Sequence, residues 1–413
     1  MTSRLESFVS SANAEDTDFP LNNLPYGVFS TGGARRCGVA IGDSILDVAQ
    51  LENSGVISLG DQVLQNAAWN ELMAAGRPVW DKLREQLISL LSVDGEHRDA
   101  VGNALVPMAG AKLHLPFEVS EFTDFYSSRH HAFNVGSMFR GPENALPPNW
   151  LHMPIGYNGR ASSVVVSGTE IIRPQGQLKD PESEVPHFGP CERFDIELEM
   201  GAIVGTPSDK PVSVQQAYDN LFGYVLLNDW SARDIQTWEY QPLGPFQAKA
   251  TATTISPWIV TKAALEPFRV STPEREKPLL EYLHEPGPML YDIDLHVTYM
   301  PCGSSTISVI SQTNYRELYY SSAQQLAHHT SSGCLMRTGD LLGSGTISGP
   351  ARNSSGSLLE LCLGGKEPFT LDSGETRCFI EDGDTVGLHG AAKASNYRIG
   401  FGPCAGRVVG SAK

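Results

Sequence analysis

The sequence predicts a two-domain protein of mainly β structure with α+β elements. Its 413 residues exceed the ~100–200 residues of an ordinary single domain. Apolar residues make up 41% and charged residues 19% of the chain, which is typical of globular rather than disordered proteins. Strand-like runs bounded by glycine or proline dominate beyond residue 119. We therefore expect an N-terminal domain over residues 1–118 and a larger, strand-dominated domain over residues 119–413.

The N-terminal domain combines a small sheet with helices. Residues 25–49 contain short alternating apolar runs split by Gly-Gly and Gly-Asp turns, which indicate antiparallel strands. Apolar residues then recur every three to four positions over residues 63–72 and again over residues 80–91, which predicts two helices. Gly76 ends the first predicted helix and Pro78 begins the second, because both residue types favour helix boundaries.

Most of the larger domain is predicted as strands separated by proline and glycine turns. The predicted strands cover residues 162–167, 194–204, 258–260, 291–299, 358–363 and 384–388. The predicted helices cover residues 214–221, 231–240 and 315–329. Residues 264–289 are rich in Pro, Glu and Lys, and we expect them to run over the surface.

Charge and hydropathy exclude several classes of protein. The 30 basic and 47 acidic residues give a net charge of −17, which disfavours binding to nucleic acid or to anionic lipid. Apolar runs fall far short of the ~20 residues of a membrane span, and the N-terminus has no secretory signal, so we expect a cytoplasmic protein. The seven cysteines are scattered without a Cys-x-x-Cys pair and are predicted to be buried free thiols. Sequence motifs for a phosphate-binding loop, a nucleophile elbow and a zinc-protease helix are absent.

Carboxylates and aliphatic residues alternate in the run that contains Asp195, Glu197 and Glu199. The period of a strand would place all three acids on one face. One interpretation is a half-exposed strand whose polar side faces water. The other is a site for a hard cation, because a divalent ion would remove the repulsion between neighbouring carboxylates.

A second polar pattern spans the start of the helix predicted over residues 231–240. Asp229, Arg233, Gln236 and Tyr240 are spaced at i, i+4, i+7 and i+11, which would stack them along one helical face. That face could be an ordinary solvated stripe. Its carboxylate, guanidinium, amide and phenol groups could equally provide metal ligation and hydrogen-bond donors.

A third pattern surrounds two adjacent histidines. His130 and His131 cannot share one face of a regular element, so they are expected to point in different directions. A lone histidine is more often a satisfied structural group than a catalytic base. Here Asp124, Tyr126 and Arg129 lie nearby in the sequence, which favours a base.

The chain resembles the fumarylacetoacetate hydrolase family, and in particular its eukaryotic members. Matching runs extend over nearly the whole chain, so the resemblance is far more specific than a single short motif. They cover residues 124–129, 144–146, 149–152, 159–168, 228–236, 242–246, 344–350 and 397–402. The resemblance implies an SH3-like barrel in the N-terminal domain, followed by a catalytic domain built as a mixed β-roll or sandwich.

The resemblance also implies a metal centre with Ca2+ and/or Mg2+, two ions that prefer oxygen ligands. The implied ligands are Asp124, Glu197, Glu199 and Asp229. A second metal position is implied at Asp229, Lys249 and Thr253. Around Lys249 this chain has alanines where the family usually has glycines, so we expect the second position to be affected first.

By the same matching, His131 is the general base and Glu360 orients it, while Arg233, Gln236 and Lys249 stabilise an oxyanion. The implied substrate-binding residues are Tyr126, Arg140, Tyr157, Gln236, Tyr240 and Thr346. The implied reaction hydrolyses a carbon–carbon bond of 4-fumarylacetoacetate, a small diketo diacid, to fumarate and acetoacetate, in the breakdown of tyrosine and phenylalanine. The resemblance also implies a homodimer.

Two alternatives stay open. The family includes relatives that decarboxylate or isomerise oxo acids on the same scaffold, so the fold alone does not settle the reaction. The chain could also be a non-catalytic cation-binding protein, for which the acidic strand would suffice. The implied pairing of His131 with Glu360 favours hydrolysis over both.

Overall fold

A computed structural model describes residues 3–411 and shows a strand-rich protein that also contains helices, which confirms the predicted fold class. In the N-terminal part the elements are β1 (Tyr26–Ser30), β2 (Arg36–Ile41), β3 (Ser44–Asp47), α1 (Val48–Asn53), α2 (Asn70–Ala74), α3 (Arg77–Leu91), α4 (Arg98–Asn103), β4 (Leu105–Pro107) and β5 (Lys112–His114). The three short strands β1, β2 and β3 confirm the antiparallel sheet predicted over residues 25–49, and the helix α1, which was not predicted, follows them directly.

The larger part of the chain contains most of the strands. Its strands are β6 (Phe122–Phe125), β7 (Gly156–Asn158), β8 (Val164–Val166), β9 (Ile171–Ile172), β10 (Gln175–Leu178), β11 (His187–Pro190), β12 (Phe194–Asp195), β13 (Leu198–Val204), β14 (Leu221–Asp229), β15 (Ser231–Ala232), β16 (Thr253–Ile255), β17 (Trp258–Thr261), β18 (Arg269–Val270), β19 (Leu290–Tyr291), β20 (Asp294–Met300), β21 (Ser308–Asn314), β22 (Leu341–Gly343), β23 (Phe369–Thr370), β24 (Thr376–Arg377), β25 (Thr385–Lys393), β26 (Arg398–Gly400) and β27 (Cys404–Val409). Its helices are α5 (Arg129–Arg140), α6 (Val214–Asn220), α7 (Arg233–Glu239), α8 (Lys262–Leu265), α9 (Ser322–Thr330) and α10 (Leu358–Leu361).

One sheet of 13 strands joins the two parts of the chain. Its strand order is β4-β3-β2-β1-β17-β14-β13-β22-β6-β7, with β5 on β1, β16 on β14 and β8 on β16. The junction is the antiparallel pairing of β1 with β17, in which Tyr26 lies opposite Ile259. A second, six-stranded sheet has the order β21-β20-β25-β27-β9, with β26 on β25. The SH3-like barrel stays a prediction from the resemblance.

The central strands β13 and β14 are buried on both faces. Met200 packs into the core of the larger part, whereas Leu227 packs with residues of the N-terminal part. A strand that is covered on both faces needs apolar residues on both. The carboxylates of Glu199 and Asp229 lie on these two strands and are therefore enclosed in the interior, with 0% exposure. This enclosure positions the candidate site.

The helix predicted over residues 63–72 is wrong for most of its length, because α2 covers only the end of that range. The apolar residues are buried as expected, but they are held by other elements. The backbone N–H of Leu64 donates to Glu52 Oε2 at 3.2 Å, and Trp69 Nε1 donates to Gly27 O at 2.8 Å. The second predicted helix is confirmed as α3.

Three predictions in the larger part also differ from the structure. Residues 358–363 begin with the helical turn α10 instead of a strand, because the Asp195 carboxylate holds the first backbone N–H groups of that turn. Asp229 ends β14 and Arg233 begins α7, with the short strand β15 between them, so the two do not share a helical face. Helix α9 begins at Ser322, later than predicted.

The cysteines are free thiols, as predicted. Cys302 and Cys334, in the segments that follow β20 and α9, are exposed and Cys378 is half-buried, so the prediction of burial holds for the other four and is wrong for the two exposed thiols. Across residues 3–411, none of the helices combines the length and apolar character needed to cross a membrane.

Candidate active site

Four carboxylates from neighbouring strands meet in the interior, and we call them the carboxylate cluster. Asp124 lies on β6, Glu199 on β13 and Asp229 at the end of β14. Glu197 lies in the break between β12 and β13, so the strand predicted over residues 194–204 is interrupted here. One oxygen of each carboxylate lies within 4.8 Å of one oxygen of every other. The structure thus brings together the four residues predicted as metal ligands.

The carboxylate cluster has too few hydrogen-bond donors for its oxygens. Asp124 Oδ1 and Glu199 Oε1 are buried without a hydrogen-bond partner. Burial, reinforced by the charge of Asp229, raises the pKa of Asp124 to about 8. Burial and the neighbouring carboxylates raise the pKa of Glu199 well above its usual range. Unpaired oxygens that repel one another fit a hard divalent cation such as Ca2+ or Mg2+, which binds oxygen ligands at about 2.0–2.6 Å.

Two glycines leave the space that the carboxylate cluster needs. A Cβ atom on Gly343 would lie 2.5 Å from Asp124 Oδ1 and 2.9 Å from Glu199 Oε2, so a larger residue would displace the carboxylates. Gly345 has a φ of +75° and donates its N–H to Glu199 Oε2 at 2.9 Å. Glycine adopts such a positive φ at little cost, and other residues do not.

Lys249 bridges two members of the carboxylate cluster. Its Nζ donates to Glu197 Oε2 at 2.5 Å and to Asp229 Oδ2 at 2.9 Å. Burial would lower the pKa of Lys249, but these two carboxylates outweigh burial and raise it. The resulting ammonium group has no lone pair for a metal, so Lys249 serves here as a counter-charge. Thr253 Oγ1 donates to Asp229 Oδ1 at 3.4 Å, and a second metal position at these residues stays a prediction.

The alanines around Lys249 adopt ordinary backbone conformations. Within residues 3–411, positive φ angles outside glycine occur at Leu24, His97 and Leu363. Residues 247–253 therefore need no glycine, and their alanines cause no backbone strain. The short helical turn Gln247–Lys249 is held by the Glu239 carboxylate, which accepts the backbone N–H groups of residues 246–248.

His131 and Glu360 form a buried pair. His131 lies in the first turn of α5, and its Nδ1 is 2.7 Å from Glu360 Oε2. His130 points elsewhere, with Nε2 3.5 Å from Glu317 Oε2, as expected for adjacent histidines. Burial would raise the pKa of Glu360, but His131 and the surrounding hydrogen bonds outweigh burial and lower it. An ionised carboxylate only accepts hydrogen bonds, so Nδ1 of His131 carries the proton and Nε2 is left as the acceptor.

Three further donors hold the Glu360 carboxylate in place. Asn134 Nδ2 donates to Oε1 at 2.9 Å, while the hydroxyls of Ser348 and Ser357 each donate to Oε2 at 2.9 Å. Sequence reasoning missed these three residues. The serines lie in the segment that leads into α10, and only Asn134, one helical turn beyond His130, offered a local signal.

Arg233 links the start of α7 to the carboxylate cluster. Its Nε donates to Asp195 Oδ2 at 2.8 Å, and its Nη1 lies 2.8 Å from Glu197 Oε1. Nη1 also donates to Gln236 Oε1 at 3.2 Å. The third nitrogen, Nη2, is buried without a hydrogen-bond partner. A charged donor with no partner inside the protein suits a site that binds a negatively charged oxygen.

Three of the predicted substrate-binding residues lie at the centre of the site. Tyr157 OH donates to Asp229 Oδ2 at 2.9 Å. The ring of Tyr126 meets the ring of His131 edge to face, with centroids 5.4 Å apart. Thr346 Oγ1 is buried without a hydrogen-bond partner. Tyr157 and Tyr126 thus contact the carboxylate cluster and His131, and Thr346 directly follows Gly345, whose N–H binds Glu199.

Gln236, a fourth predicted substrate-binding residue, contacts Arg233, and the remaining two lie further out. Arg140 is exposed, and its guanidinium donates to the backbone oxygens of Asn144 and Ala145 at 3.1 and 2.7 Å. Tyr240 is 46% exposed, and its hydroxyl accepts a hydrogen bond from Gln241 Nε2 at 3.1 Å. The structure therefore does not bring these two side chains to the carboxylate cluster.

Together these features describe a buried group of carboxylates that could hold a divalent cation and a buried histidine that is paired with a carboxylate, an arrangement typical of metal-dependent enzymes. Residues 121–409 match the family model described as Fumarylacetoacetate (FAA) hydrolase C-terminal, and residues 22–116 match Fumarylacetoacetase N-terminal. The chain belongs to the fumarylacetoacetate hydrolase family.

Individual relatives support the same assignment. The fumarylacetoacetase of Bos taurus is 50% identical over 408 residues, which cover 96% of this chain and 97% of that protein. The fumarylacetoacetase of Caenorhabditis elegans is 48% identical over 417 residues, which cover 98% and 99%. A solved fumarylacetoacetate hydrolase from Exiguobacterium antarcticum has a TM-score of 0.54 at 15% identity, covering 94% of this chain and 99% of that chain. That structural match supports the fold.

Proposed function

We propose that this protein hydrolyses 4-fumarylacetoacetate to fumarate and acetoacetate. The names of its relatives support this activity. The observation that carries the proposal is the position of the His131–Glu360 pair beside the carboxylate cluster. Burial would raise the pKa of Glu197, but Lys249, Arg233 and His131 outweigh burial and lower it. The contribution of His131 to this shift supports a position of the pair beside the cluster.

In the proposed reaction, His131 Nε2 takes a proton from a water molecule, and the water oxygen bonds to the keto carbon next to the fumaryl double bond. Glu360 keeps Nδ1 protonated and orients the ring. The carbonyl electron pair moves to oxygen and gives a tetrahedral alkoxide. The bond to the acetoacetate methylene then breaks, and its electron pair leaves with acetoacetate, which takes the proton back from His131. The other product is fumaric acid, which ionises to fumarate.

Arg233, Gln236 and Lys249 are suited to stabilise the alkoxide. Arg233 Nη2 has no protein partner, and Lys249 uses two of its three ammonium protons on carboxylates. Gln236 accepts from Arg233 through Oε1, which leaves its amide N–H groups to donate. One such donor is typically worth about 3–4 kcal/mol. A divalent cation held by the carboxylate cluster supplies Lewis-acid polarisation of the substrate oxygens.

The substrate carries a carboxylate at each end, so its binding requires hydrogen-bond donors on both sides. Burial and the charge of Glu360 raise the pKa of Tyr126, so its phenol stays protonated and can donate. Thr346 offers a second buried hydroxyl. Arg140 and Tyr240 would reach a substrate carboxylate by turning their exposed side chains inward, and Arg140 can bind it through two parallel hydrogen bonds.

The ion in the carboxylate cluster is proposed to be Ca2+ or Mg2+. We place the domain boundary at residue 118, which is supported by family matches that end at 116 and begin at 121. A cytoplasmic homodimer follows from the resemblance, and three exposed apolar side chains support a protein interface. They are Phe188 at 70%, Leu243 at 96% and Phe246 at 68% exposure.

Two competing functions are a decarboxylase or isomerase of oxo acids and a non-catalytic cation-binding protein. A solved 5-carboxymethyl-2-hydroxymuconate delta-isomerase from Mycobacterium smegmatis has a TM-score of 0.51 to this chain at 15% identity, which concerns the fold only. A cation-binding protein needs no buried histidine held by a carboxylate. The His131–Glu360 pair therefore favours hydrolysis.

The proposed function is tested by mixing the purified protein with fumarylacetoacetate and following the ultraviolet absorbance of its conjugated diketone. We expect the absorbance to disappear, with fumarate and acetoacetate formed in equal amounts, and a chelator to prevent the loss. Decarboxylated or isomerised products would replace the proposal by the first alternative. No reaction by the folded, Ca2+-loaded protein would favour the second.

A further inference from the structure

Asp195 lies at the end of β12, fully buried and outside the carboxylate cluster. Its Oδ1 accepts the backbone N–H groups of Ile196 and Leu358, each at 2.7 Å. Its Oδ2 accepts the N–H of Leu359 at 3.0 Å and Arg233 Nε at 2.8 Å. One carboxylate therefore ties together its own strand, the start of α10 and the start of α7.

The contact with α10 bears on the general base. Leu358 and Leu359 are the first residues of this turn, and first-turn N–H groups have no partner within a helix. Glu360 is the next residue, and its carboxylate reaches His131 from this turn. Asp195 thus fixes where α10 begins and, with it, the position of Glu360.

The contact with Arg233 bears on the other half of the site. Asp195 holds Nε, Glu197 holds Nη1 at 2.8 Å, and Nη2 is left for a ligand. Without Asp195, Glu197 would be the remaining one of these two carboxylate partners of Arg233. The guanidinium would then shift toward Glu197, because a buried charge needs a partner.

We infer that Asp195 is a positioning residue that couples the His131–Glu360 base to Arg233. Its catalytic meaning rests on the proposed function, whereas its hydrogen bonds do not. Asp195 contacts neither His131 nor the carboxylate cluster directly and acts through Glu360 and Arg233. Loss of Asp195 and loss of Glu360 should therefore remove part of the same contribution.

The test is Asp195→Asn, which keeps the size of the side chain and removes its charge. We expect kcat to fall about 100-fold with KM changed less than about threefold, because a displacement of about 1 Å in a catalytic group costs that much. In the Asp195→Asn, Glu360→Gln double variant, kcat should fall below that of Glu360→Gln alone by clearly less than about 100-fold, since the part that acts through Glu360 is already lost and only the part that acts through Arg233 remains. An unchanged kcat, or effects that multiply, would overturn the inference.

Asp384→Asn is the matched control. Asp384 is equally buried, is paired with Arg377, and accepts backbone N–H groups from Cys302 and Glu381. This variant should lower Tm at least as much as Asp195→Asn and yet leave kcat within about twofold, because it removes a buried pair outside the site. Equal losses of kcat in Asp195→Asn and Asp384→Asn would show that Asp195 has a structural role only, which would overturn the inference.

A readout without substrate separates this inference from the proposed function. Both the Asp195→Asn variant and the wild type are first freed of metal with a chelator. We expect His131 of the variant to react several-fold faster with diethyl pyrocarbonate than His131 of the wild type. His130 serves as the internal reference in fragment mass spectra. Unchanged reactivity of His131 would overturn the inference alone. Failure of the wild type to turn over fumarylacetoacetate would overturn the proposed function alone. If Asp195→Asn does not fold, Asp195→Glu keeps the charge, displaces the carboxylate and carries the same expectations.

Discussion

Glu199 and Asp384 are both carboxylates with 0% exposure, yet their surroundings are opposite. Asp384 accepts hydrogen bonds from Arg377 Nε at 2.9 Å, Tyr299 OH at 2.5 Å and the Cys302 N–H at 2.8 Å. Burial would raise the pKa of Asp384, but Arg377 and these donors outweigh burial and lower it. Asp384 is thus a fully satisfied structural anion.

Glu199 has one backbone donor on Oε2 and no hydrogen-bond partner on Oε1. Burial and then the charges of Asp124, Glu197 and Asp229 raise its pKa. The two carboxylates are equally buried, so burial does not distinguish them. Their hydrogen-bond partners do: Asp384 has a complete set of donors, as a structural carboxylate needs, whereas Glu199 has an incomplete set among like charges, as expected for the proposed cation ligand.

The largest effect that would sharpen this comparison is expected for Glu199→Gln. Glutamine keeps the shape and removes an anionic ligand, so Ca2+ affinity should fall at least ~100-fold, or about 2.7 kcal/mol, and turnover should fall with it. The chelated variant should melt at or above the wild-type temperature, because the substitution reduces like-charge repulsion. Calorimetric titration with Ca2+ and thermal denaturation with chelator measure the two quantities. A large drop in Tm of the chelated variant would class Glu199 with the structural carboxylates.

Asp384→Asn should show the reverse pattern. The substitution breaks the ion pair between Asp384 and Arg377 and leaves Arg377 with Glu381, 3.3 Å away, as its carboxylate partner. Breaking a buried ion pair typically costs about 3–5 kcal/mol of unfolding free energy. Denaturant titration measures this loss, and Ca2+ affinity should stay at the wild-type value. Weaker Ca2+ binding in this variant would break the distinction between the two carboxylates.

A smaller effect is expected from pH. In the metal-free folded protein the pKa of Asp124 is about 8, raised from an ordinary value of 3.8, so folding takes up a proton between these values. The contribution of Asp124 to the unfolding free energy of the metal-free protein is therefore fully present below pH 4 and is lost as the pH rises toward 8. Cation binding displaces the proton, so the rise in Tm on adding Ca2+ should grow from pH 5 to pH 8. A rise that shrinks over this range would contradict the raised pKa.

Local sequence patterns predicted part of the carboxylate cluster better than the rest of the site. Glu197 and Glu199 stood out because carboxylates repeated with the period of a strand. Asp124 and Asp229 are separated from them by many residues and were assigned to the same metal centre only through the family resemblance. A sheet that places β6, β13 and β14 side by side is a tertiary property, and local patterns do not encode it.

The wrong predictions have the same origin. Residues 358–363 have the composition of a buried strand, but Asp195, more than 150 residues earlier, holds their first N–H groups in a helical turn. The loop over residues 63–69 is apolar with helical spacing, but its backbone bonds to Glu52 and its Trp69 bonds to the sheet. In both segments long-range contacts override local propensity.

The central claim is that one set of residues binds the cation and another supplies the base. His131→Ala tests it most directly, with turnover of fumarylacetoacetate and Ca2+ affinity measured on the same purified protein. We expect turnover to fall at least ~1,000-fold, because a general base contributes typically 10²–10⁴-fold and its loss also frees Glu360. Ca2+ affinity should stay within about twofold of the wild type. Equal losses of turnover and Ca2+ binding would contradict the assignment of His131 as the base.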